Sequence, residues 1–177
     1  MPYTTDFSDK NVVVVGGTSG INRGIALAFA SHGAKVAVAS RKQEKVDDTV
    51  AALNAAGAAE AMGCAFDVRD FEATTAGIAQ FAEAFGQIDI LISGAAGNFP
   101  AFAADMSANA FKSVVDIDLM GTIHVMKAAY PHLNKPGASS INISAPQAYM
   151  VYEAQAHVCA AKAGVDQITR CLALEWG

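Results

Sequence analysis

The sequence predicts an α/β protein in which helices cover both faces of one doubly wound parallel sheet. Three observations predict this fold. The residues Val12 to Val15 are four β-branched side chains in a row, the pattern of a strand that is buried on both faces. A glycine-rich turn and an amphipathic helix follow this strand directly. Strand-like and helical patterns then alternate along the chain, which is typical of right-handed crossovers between parallel strands.

The elements can be assigned in order from their periodicity and their caps. His32-Gly33 ends the first helix, Gly57 the second and Gly86 the third. Further strands are predicted from Lys35 to Ser40, Ala61 to Phe66, Ile88 to Ser93 and Ser140 to Ser144. Further helices are predicted from Gln43 to Ala56, Phe71 to Phe85, Ala108 to Leu133 and Ala154 to Glu175, with a loop from Gly94 to Ala104.

Composition and charge exclude several classes of protein. Apolar residues make up 53% of the chain and charged residues 16%, which favours a large buried interior over disorder. The net charge is −5 and no run of Lys and Arg occurs, so neither a nucleic acid nor a membrane is an expected partner. The isolated cysteines Cys64, Cys159 and Cys171 lack metal or redox spacing. They predict no metal site and, with no signal pattern, a cytoplasmic location.

The glycine-rich turn is the predicted nucleotide site. Such a turn, between a buried strand and a helix N-terminus, presents free N–H groups and the positive end of a helix dipole to one place, where a pyrophosphate binds. Asn22 stands where a third glycine of the dinucleotide fingerprint would be expected, and we expect it to tolerate a left-handed backbone there. The alternative is an ordinary strand-to-helix turn. The candidate cofactor residues in the turn are Gly16, Thr18, Ser19, Gly20 and Ile21.

The end of the second strand predicts which cofactor binds. In nicotinamide-binding sheets an acidic residue there holds the ribose hydroxyls of NAD(H), whereas an arginine accommodates the 2′-phosphate of NADP(H). This chain has Ser40, Arg41 and Lys42, with no carboxylate before Glu44. The two cations and the hydroxyl therefore predict NADP(H). The alternative is that these residues are only the solvent-exposed start of the next helix and bind no cofactor.

Asp67 and Val68 follow the third strand and are the predicted adenine site. The Asp67 carboxylate can accept from the adenine amino group while Val68 covers the ring. The alternative for Asp67 is the N-cap of the next helix, a role that Asp70 fits better.

No linker, repeat or low-complexity segment divides the chain, so residues 1–177 are predicted to form a single dinucleotide-binding domain of the Rossmann type. A doubly wound sheet ordinarily continues to a sixth strand. The sequence stops just after the last predicted helix, so we expect the domain to be incomplete at its C-terminus.

Several motifs in one order resemble the short-chain dehydrogenase/reductase family over essentially the whole chain. The turn from Gly16 to Ile21 is similar to its cofactor motif, and Asp67-Val68 to its adenine contact. The segment from Asp89 to Gly97 is similar to its fourth-strand motif. The resemblance implies that Ala95 in that segment contacts the cofactor and that Lys162 binds the nicotinamide ribose.

The catalytic set of that family is Asn, Ser, Tyr and Lys, and only the lysine is found here at its expected position, as Lys162. Val158 stands at the tyrosine position, Ala145 at the serine position and Asp118 at the asparagine position. Ordinary alcohol and ketone chemistry is therefore disfavoured. The alternative for Lys162 is a solvated helix lysine.

This pattern of losses is similar to the 2,4-dienoyl-CoA reductase branch, especially its peroxisomal type. The resemblance implies hydride transfer from NADPH to the far end of a conjugated dienoyl thioester, followed by protonation nearer the thioester. Lys162, Asp118 and His157 are its implied catalytic residues, and the proton is expected from water held by Asp118 and Lys162. Five residues correspond to about 140° around a helix, so His157 shares the face of Lys162 only if it precedes the regular turns. The alternative for His157 and His124 is a structural histidine.

Two other functions stay open from the sequence. One is a carbonyl reductase in which Tyr149 or Tyr152 replaces the lost tyrosine. The other is a non-catalytic structural subunit that binds the cofactor, which Asn22, Val158 and Ala145 together suggest.

The two longest predicted helices, Ala108 to Leu133 and Ala154 to Glu175, carry more apolar and small residues than one sheet face needs. They resemble the helices through which the family forms dimers and tetramers. The expected partners are therefore a second copy or further copies of this chain and a small-molecule substrate, an acyl thioester.

Overall fold

Five parallel strands form one sheet in the computed structural model, which describes residues 5–177. The strands are β1 (Asn11–Val15), β2 (Lys35–Ser40), β3 (Glu60–Ala65), β4 (Ile90–Ser93) and β5 (Ser139–Asn142). Their order across the sheet is β3-β2-β1-β4-β5, so the chain builds outward from β1 first on one side and then on the other. The predicted doubly wound parallel sheet is confirmed.

In the part of the chain that the structure describes, six α-helices connect or follow the strands. They are α1 (Gly20–Ser31), α2 (Gln43–Ala56), α3 (Phe71–Phe85), α4 (Ala108–Val114), α5 (Gly121–Ala129) and α6 (Ala156–Trp176). The predicted bounds of α2 and α3 are confirmed. Gly57 ends α2 in the left-handed conformation, and the Asp70 side chain accepts from the N–H of Ala73 at the start of α3. Within residues 5–177 no helix has both the length and the apolar character of a membrane span.

β1 lies at the centre of the core and is buried on both faces. Val12 and Val14 pack on one side of the sheet with α1 and α2, whereas Val13 and Val15 pack on the other side with α3 and α5. Each fully buried valine contributes about 1.5–3 kcal/mol relative to an exposed one. This burial fixes the position of the turn that follows the strand.

The prediction of one continuous α-helix from Ala108 to Leu133 is wrong for the middle of this segment. Residues Val115–Met120, between α4 and α5, form a π-helical segment, in which the N–H of Gly121 donates to the carbonyl of Asp116 five residues earlier. Gly121 packs so closely on Val68 that a Cβ there would lie 2.6 Å from Val68 Cγ2. Segments of this kind are frequently found at functional sites.

Other predicted element ends differ by one or two residues. β3 lies one residue earlier than predicted, β5 ends two residues earlier, and Ile88 forms a single parallel bridge with Leu133 before β4 begins. The last helix begins at Ala156 because Ala154, with φ of +59°, cannot belong to it. A short 3-10 turn at Tyr130–His132 replaces the end of the long helix, because Pro131 has no N–H to donate.

Candidate active site

A cavity of about 530 Å³ lies at the carboxyl edge of the sheet, where β1 separates the two halves. Ligands of open α/β sheets bind at this switch point. Its walls come from residues at or just beyond the carboxyl ends of all five strands and from the start of α1. Ten of the predicted cofactor residues line it: Gly16, Thr18, Ser19, Gly20, Ile21, Ser40, Arg41, Asp67, Val68 and Ala95.

The glycine turn brings the loops after β1 and β4 into contact. Gly16 has a φ of +79°, and a Cβ there would lie 2.7 Å from the backbone nitrogen of Ala95. Gly20 has a φ of +54° and no atom within 4 Å of its missing Cβ. Only a residue without a side chain therefore fits at Gly16, whereas the space beside Gly20 is open.

The expectation that Asn22 has a left-handed backbone is wrong, because Asn22 lies in a right-handed helix. Asn22 is the third residue of α1, and its amide Nδ2 donates to the carbonyl of Gly94 over 2.8 Å. The side chain therefore ties the start of α1 to the loop after β4, a role that needs an amide and not a glycine.

Four polar side chains line the end of the cavity at β2: Ser40, Arg41, Lys42 and Lys45. The Ser40 hydroxyl is buried and has no hydrogen-bond partner among the described residues. Three cations and an unpartnered hydroxyl at one end of a cavity are the groups that bind a phosphate. Lys45 is not among the predicted cofactor residues, although it lies in the first turn of α2, which begins directly after the predicted cations Arg41 and Lys42.

Asp67 is bound to Arg69 in this structure. Its carboxylate accepts from Arg69 Nε at 3.0 Å, from Nη2 at 2.6 Å and from the Arg69 backbone N–H at 3.0 Å. These bonds lower the pKa of Asp67, the side-chain bond contributing most, and raise the pKa of Arg69. The bond to adenine stays a prediction, and the adenine amino group would compete with Arg69 for the Asp67 carboxylate, which accepts from Arg69 through both oxygens. Val68 is buried at the cavity wall.

Lys162 and Asp118 form a buried ion pair. Lys162 Nζ lies 3.2 Å from Asp118 Oδ2 and donates to the carbonyl of Ile143 over 3.0 Å, while Asp118 Oδ1 accepts from the N–H of Gly97 over 2.8 Å. Lys162 is 5% exposed and Asp118 is 1% exposed. Lys162 is therefore not a solvated helix lysine, which was the alternative for it. Within the pair, each buried charge is compensated by the opposite charge of its partner.

The ion pair adjoins the cavity without lining it. Ile143, whose carbonyl binds Lys162, lines the cavity, and so does Ile117, which precedes Asp118 in the π-helical segment. Ile143 is not among the predicted site residues. Its position near the end of the strand predicted from Ser140 to Ser144 is a signal for the carboxyl edge of the sheet.

His157 contacts a loop and does not join the ion pair. Its Nε2 lies 2.9 Å from the carbonyl oxygen of Phe99, and no hydrogen bond joins it to Lys162 or Asp118 within residues 5–177. His157 lies within α6, so the offset of five residues between it and Lys162 turns the helix by about 140° and the two side chains do not share a face. His124 bonds the carbonyl of Val68 through Nδ1, the structural role considered for it.

A family model described as short chain dehydrogenase matches residues 10–177. The chain belongs to the short-chain dehydrogenase family. It is 43% identical, over 99% of its length, to a peroxisomal 2,4-dienoyl-CoA reductase ((3E)-enoyl-CoA-producing) of Arabidopsis thaliana, of which it covers 62%. The corresponding Danio rerio protein is 40% identical over 99% of this chain and 59% of its own length. This chain thus spans about three fifths of the curated relatives it matches.

The fold is also similar to that of a solved dehydrogenase structure. The crystal structure of carveol dehydrogenase from Mycobacterium avium in complex with NAD has a TM-score of 0.89 and is 25% identical. That similarity covers 94% of this chain and 65% of the solved one. The resemblance inferred from the motifs is confirmed.

In this member of the short-chain dehydrogenase family no phenol contacts the lysine within the described residues. Val158 is buried against Val114 and Ala161. Tyr149 is 79% exposed, and the Tyr152 hydroxyl contacts the Sδ of Met150 at 3.8 Å. Neither tyrosine takes the place of the lost one in this structure.

Proposed function

We propose that this chain is an NADPH-dependent reductase of enoyl or dienoyl thioesters, with substrates that resemble 2,4-dienoyl-CoA. One observation carries the proposal: the buried ion pair of Lys162 and Asp118 beside the cavity, with Val158 at the position of a phenol. The names of the relatives from Arabidopsis thaliana and Danio rerio support it.

The proposed reaction suits a site without a tyrosine. The bound reduced nicotinamide would supply a hydride. The carbon of the diene farthest from the thioester accepts it, and the π electrons move to the thioester oxygen to give an extended dienolate. A proton then adds to the carbon next to the thioester, which leaves one double bond. The negative charge is delocalised over the dienolate, so donors and a nearby cation stabilise it without a phenol.

Lys162 supplies the positive charge at the site. Its ammonium has three N–H donors, of which one faces Ile143 O and another Asp118 Oδ2. The third has no partner within residues 5–177 and would serve a ribose hydroxyl or a water. Asp118, held by the Gly97 N–H, orients the ammonium and the water that delivers the proton. His157 has no direct part in this scheme.

NADP(H) is the proposed cofactor because the β2 end of the cavity is cationic. Arg41, Lys42 and Lys45 line this end together with Ser40, and Asp67, a carboxylate of the lining, is paired with Arg69. A 2′-phosphate would find complementary charge and a donor there.

Turnover by the purified protein tests the proposal. We expect the protein to oxidise NADPH with 2,4-hexadienoyl-CoA and not with a simple ketone. The variants Lys162→Ala and Asp118→Ala should not oxidise NADPH with either substrate. Lys35→Ala is the matched control, because Lys35 begins β2 at the opposite edge of the sheet. Turnover of ketones would favour the carbonyl reductase. No turnover of any substrate would favour the structural subunit.

A homodimer or homotetramer is the proposed assembly. Leu174 on α6 is 87% exposed, and Phe111 on α4 and Met120 in the π-helical segment are also exposed. Burial of such side chains between copies would be favourable. Light scattering tests this against the monomer mass of 18.3 kDa. The proposed location is cytoplasmic; the two eukaryotic relatives are named as peroxisomal, and cell fractionation would decide.

A further inference from the structure

The loop between β4 and α4, residues 94–107, forms one wall of the site, and beyond Gly94 three of its backbone groups bond to other segments. The N–H of Gly97 donates to Asp118 Oδ1, the carbonyl of Phe99 faces His157 Nε2, and the N–H of Ala101 donates to the carbonyl of Ala154. The beginning of the same loop lines the cofactor cavity. Its position therefore affects both the cavity and the ion pair.

His157 holds the middle of this loop from a fully buried position. It is 0% exposed, and its ring packs against Phe99 and Phe111 with centroids 4.7 and 6.4 Å away. A carbonyl oxygen can only accept, so Nε2 carries a proton and donates it to the Phe99 carbonyl. Pro100 fixes the backbone that follows this carbonyl, because its φ is locked by the ring.

We propose that His157 is a positioning residue of the site and not its acid or base. Only Asn98 separates Gly97 from Phe99, so a fixed Phe99 carbonyl restrains the direction of the Gly97 N–H. That N–H holds the Asp118 carboxylate, which in turn holds Lys162. His157 thus acts on the ion pair through the loop. The catalytic consequence rests on the proposed reductase function, whereas the structural consequence does not.

A direct chemical role is inconsistent with the same contacts. The proton on Nε2 is engaged by the Phe99 carbonyl, and this nitrogen cannot serve a substrate without giving up that bond. Nδ1 is buried and has no partner among the described residues. What the geometry assigns to His157 is one directed hydrogen bond.

Two substitutions separate the hydrogen bond from the packing of the ring. His157→Phe keeps an aromatic ring against Phe99 and removes the donor, whereas His157→Gln keeps an N–H within reach of the carbonyl. Phe111→Leu is the control, because it changes the packing of His157 and keeps the bond. If His157→Phe does not fold, His157→Asn replaces it, since its amide is too short to reach the carbonyl.

Amide hydrogen exchange of residues 94–107 is the first measurement. We expect exchange about tenfold faster in His157→Phe, near the wild-type rate in His157→Gln and Phe111→Leu, and unchanged in α2 of all three. Turnover is the second: kcat for dienoyl-CoA falls about tenfold in His157→Phe, with the KM for the substrate little changed, and is restored in His157→Gln.

Unchanged loop exchange in His157→Phe would overturn the proposal. Loss of kcat in both His157 variants with normal exchange would also overturn it and would assign His157 to the chemistry. If no dienoyl substrate is turned over by the wild type, the proposed function fails. The exchange result then still decides whether His157 holds the loop.

Discussion

Lys162 Nζ lies 3.2 Å from Asp118 Oδ2, and this contact joins α6 to the π-helical segment inside the protein. Both side chains are almost entirely removed from water. A buried charge loses its hydration, so each group depends on the other and on the backbone groups of Ile143 and Gly97. The arrangement is therefore sensitive to the loss of either partner.

The first prediction concerns the stability of this ion pair. Lys162→Met and Asp118→Asn each leave one buried charge without its partner, and each is expected to lower the free energy of unfolding by about 3–5 kcal/mol. The double variant should lower the free energy of unfolding by clearly less than the sum of the two single decreases, because it leaves no unpaired charge. Urea unfolding of the four proteins measures the coupling. Additive effects would show that the two groups do not depend on one another.

The second prediction compares two glycines near the start of α1. Gly16→Ala places a Cβ 2.7 Å from the Ala95 nitrogen at a φ of +79°, so it should lower the free energy of unfolding by more than about 2 kcal/mol and weaken cofactor binding. Gly24→Ala is the matched control. Gly24 has open space around it in α1, and alanine should raise the free energy of unfolding by up to about 1 kcal/mol. Thermal unfolding and fluorescence titration with NADPH measure both effects.

The third prediction concerns the cation at the end of β2. Arg41→Ala removes a charge-assisted contact to the 2′-phosphate of the proposed cofactor, so the Kd for NADPH should rise about tenfold or more. The Kd for NADH, which lacks that phosphate, should stay nearly the same. Arg170→Ala, an exposed residue of α6 outside the cavity, is the control. Equal weakening of both cofactors in Arg41→Ala would contradict the assignment.

The parts of the fold that were predictable depend on local signals. Gly57 marks the end of α2 in the sequence because it takes the left-handed conformation that ends a helix, and Asp70 marks the start of α3 because it caps the first turn. β1 was recognised because a strand buried on both faces needs apolar residues at successive positions. In each case neighbouring residues alone decide the structure.

The parts that were missed depend on contacts between distant segments. The π-helical segment forms where Gly121 meets Val68, and apolar spacing along the helix carries no signal for that contact. Asn22 bonds Gly94, a residue of another loop, and Lys162 bonds Ile143, which lies beyond β5. The residue types of the site were therefore predictable, whereas its hydrogen bonds required the structure.

The fourth prediction is a pH dependence at the adenine end of the cavity. Arg69 beside Asp67 holds the pKa of Asp67 below its ordinary value. Folding therefore favours the ionised carboxyl, and the stabilisation is fully present at pH above the ordinary carboxyl pKa of about 3.9. It is lost as the pH falls through the lowered value, where the folded protein also binds the proton. The sign is thus a loss of stability towards acid.

Replacing Asp67 measures this contribution. The side chains of Asp67 and Arg69 are 28% and 45% exposed, so solvent screens the pair and Asp67→Asn should lower the free energy of unfolding by less than about 1 kcal/mol at neutral pH. The difference from the wild type should vanish at strongly acidic pH, because Asp67 is then neutral in both states. Asp48→Asn, exposed on α2 and in no ion pair among residues 5–177, is the control. A difference that persists undiminished in acid would mean that Asp67 stabilises the fold through contacts independent of its charge.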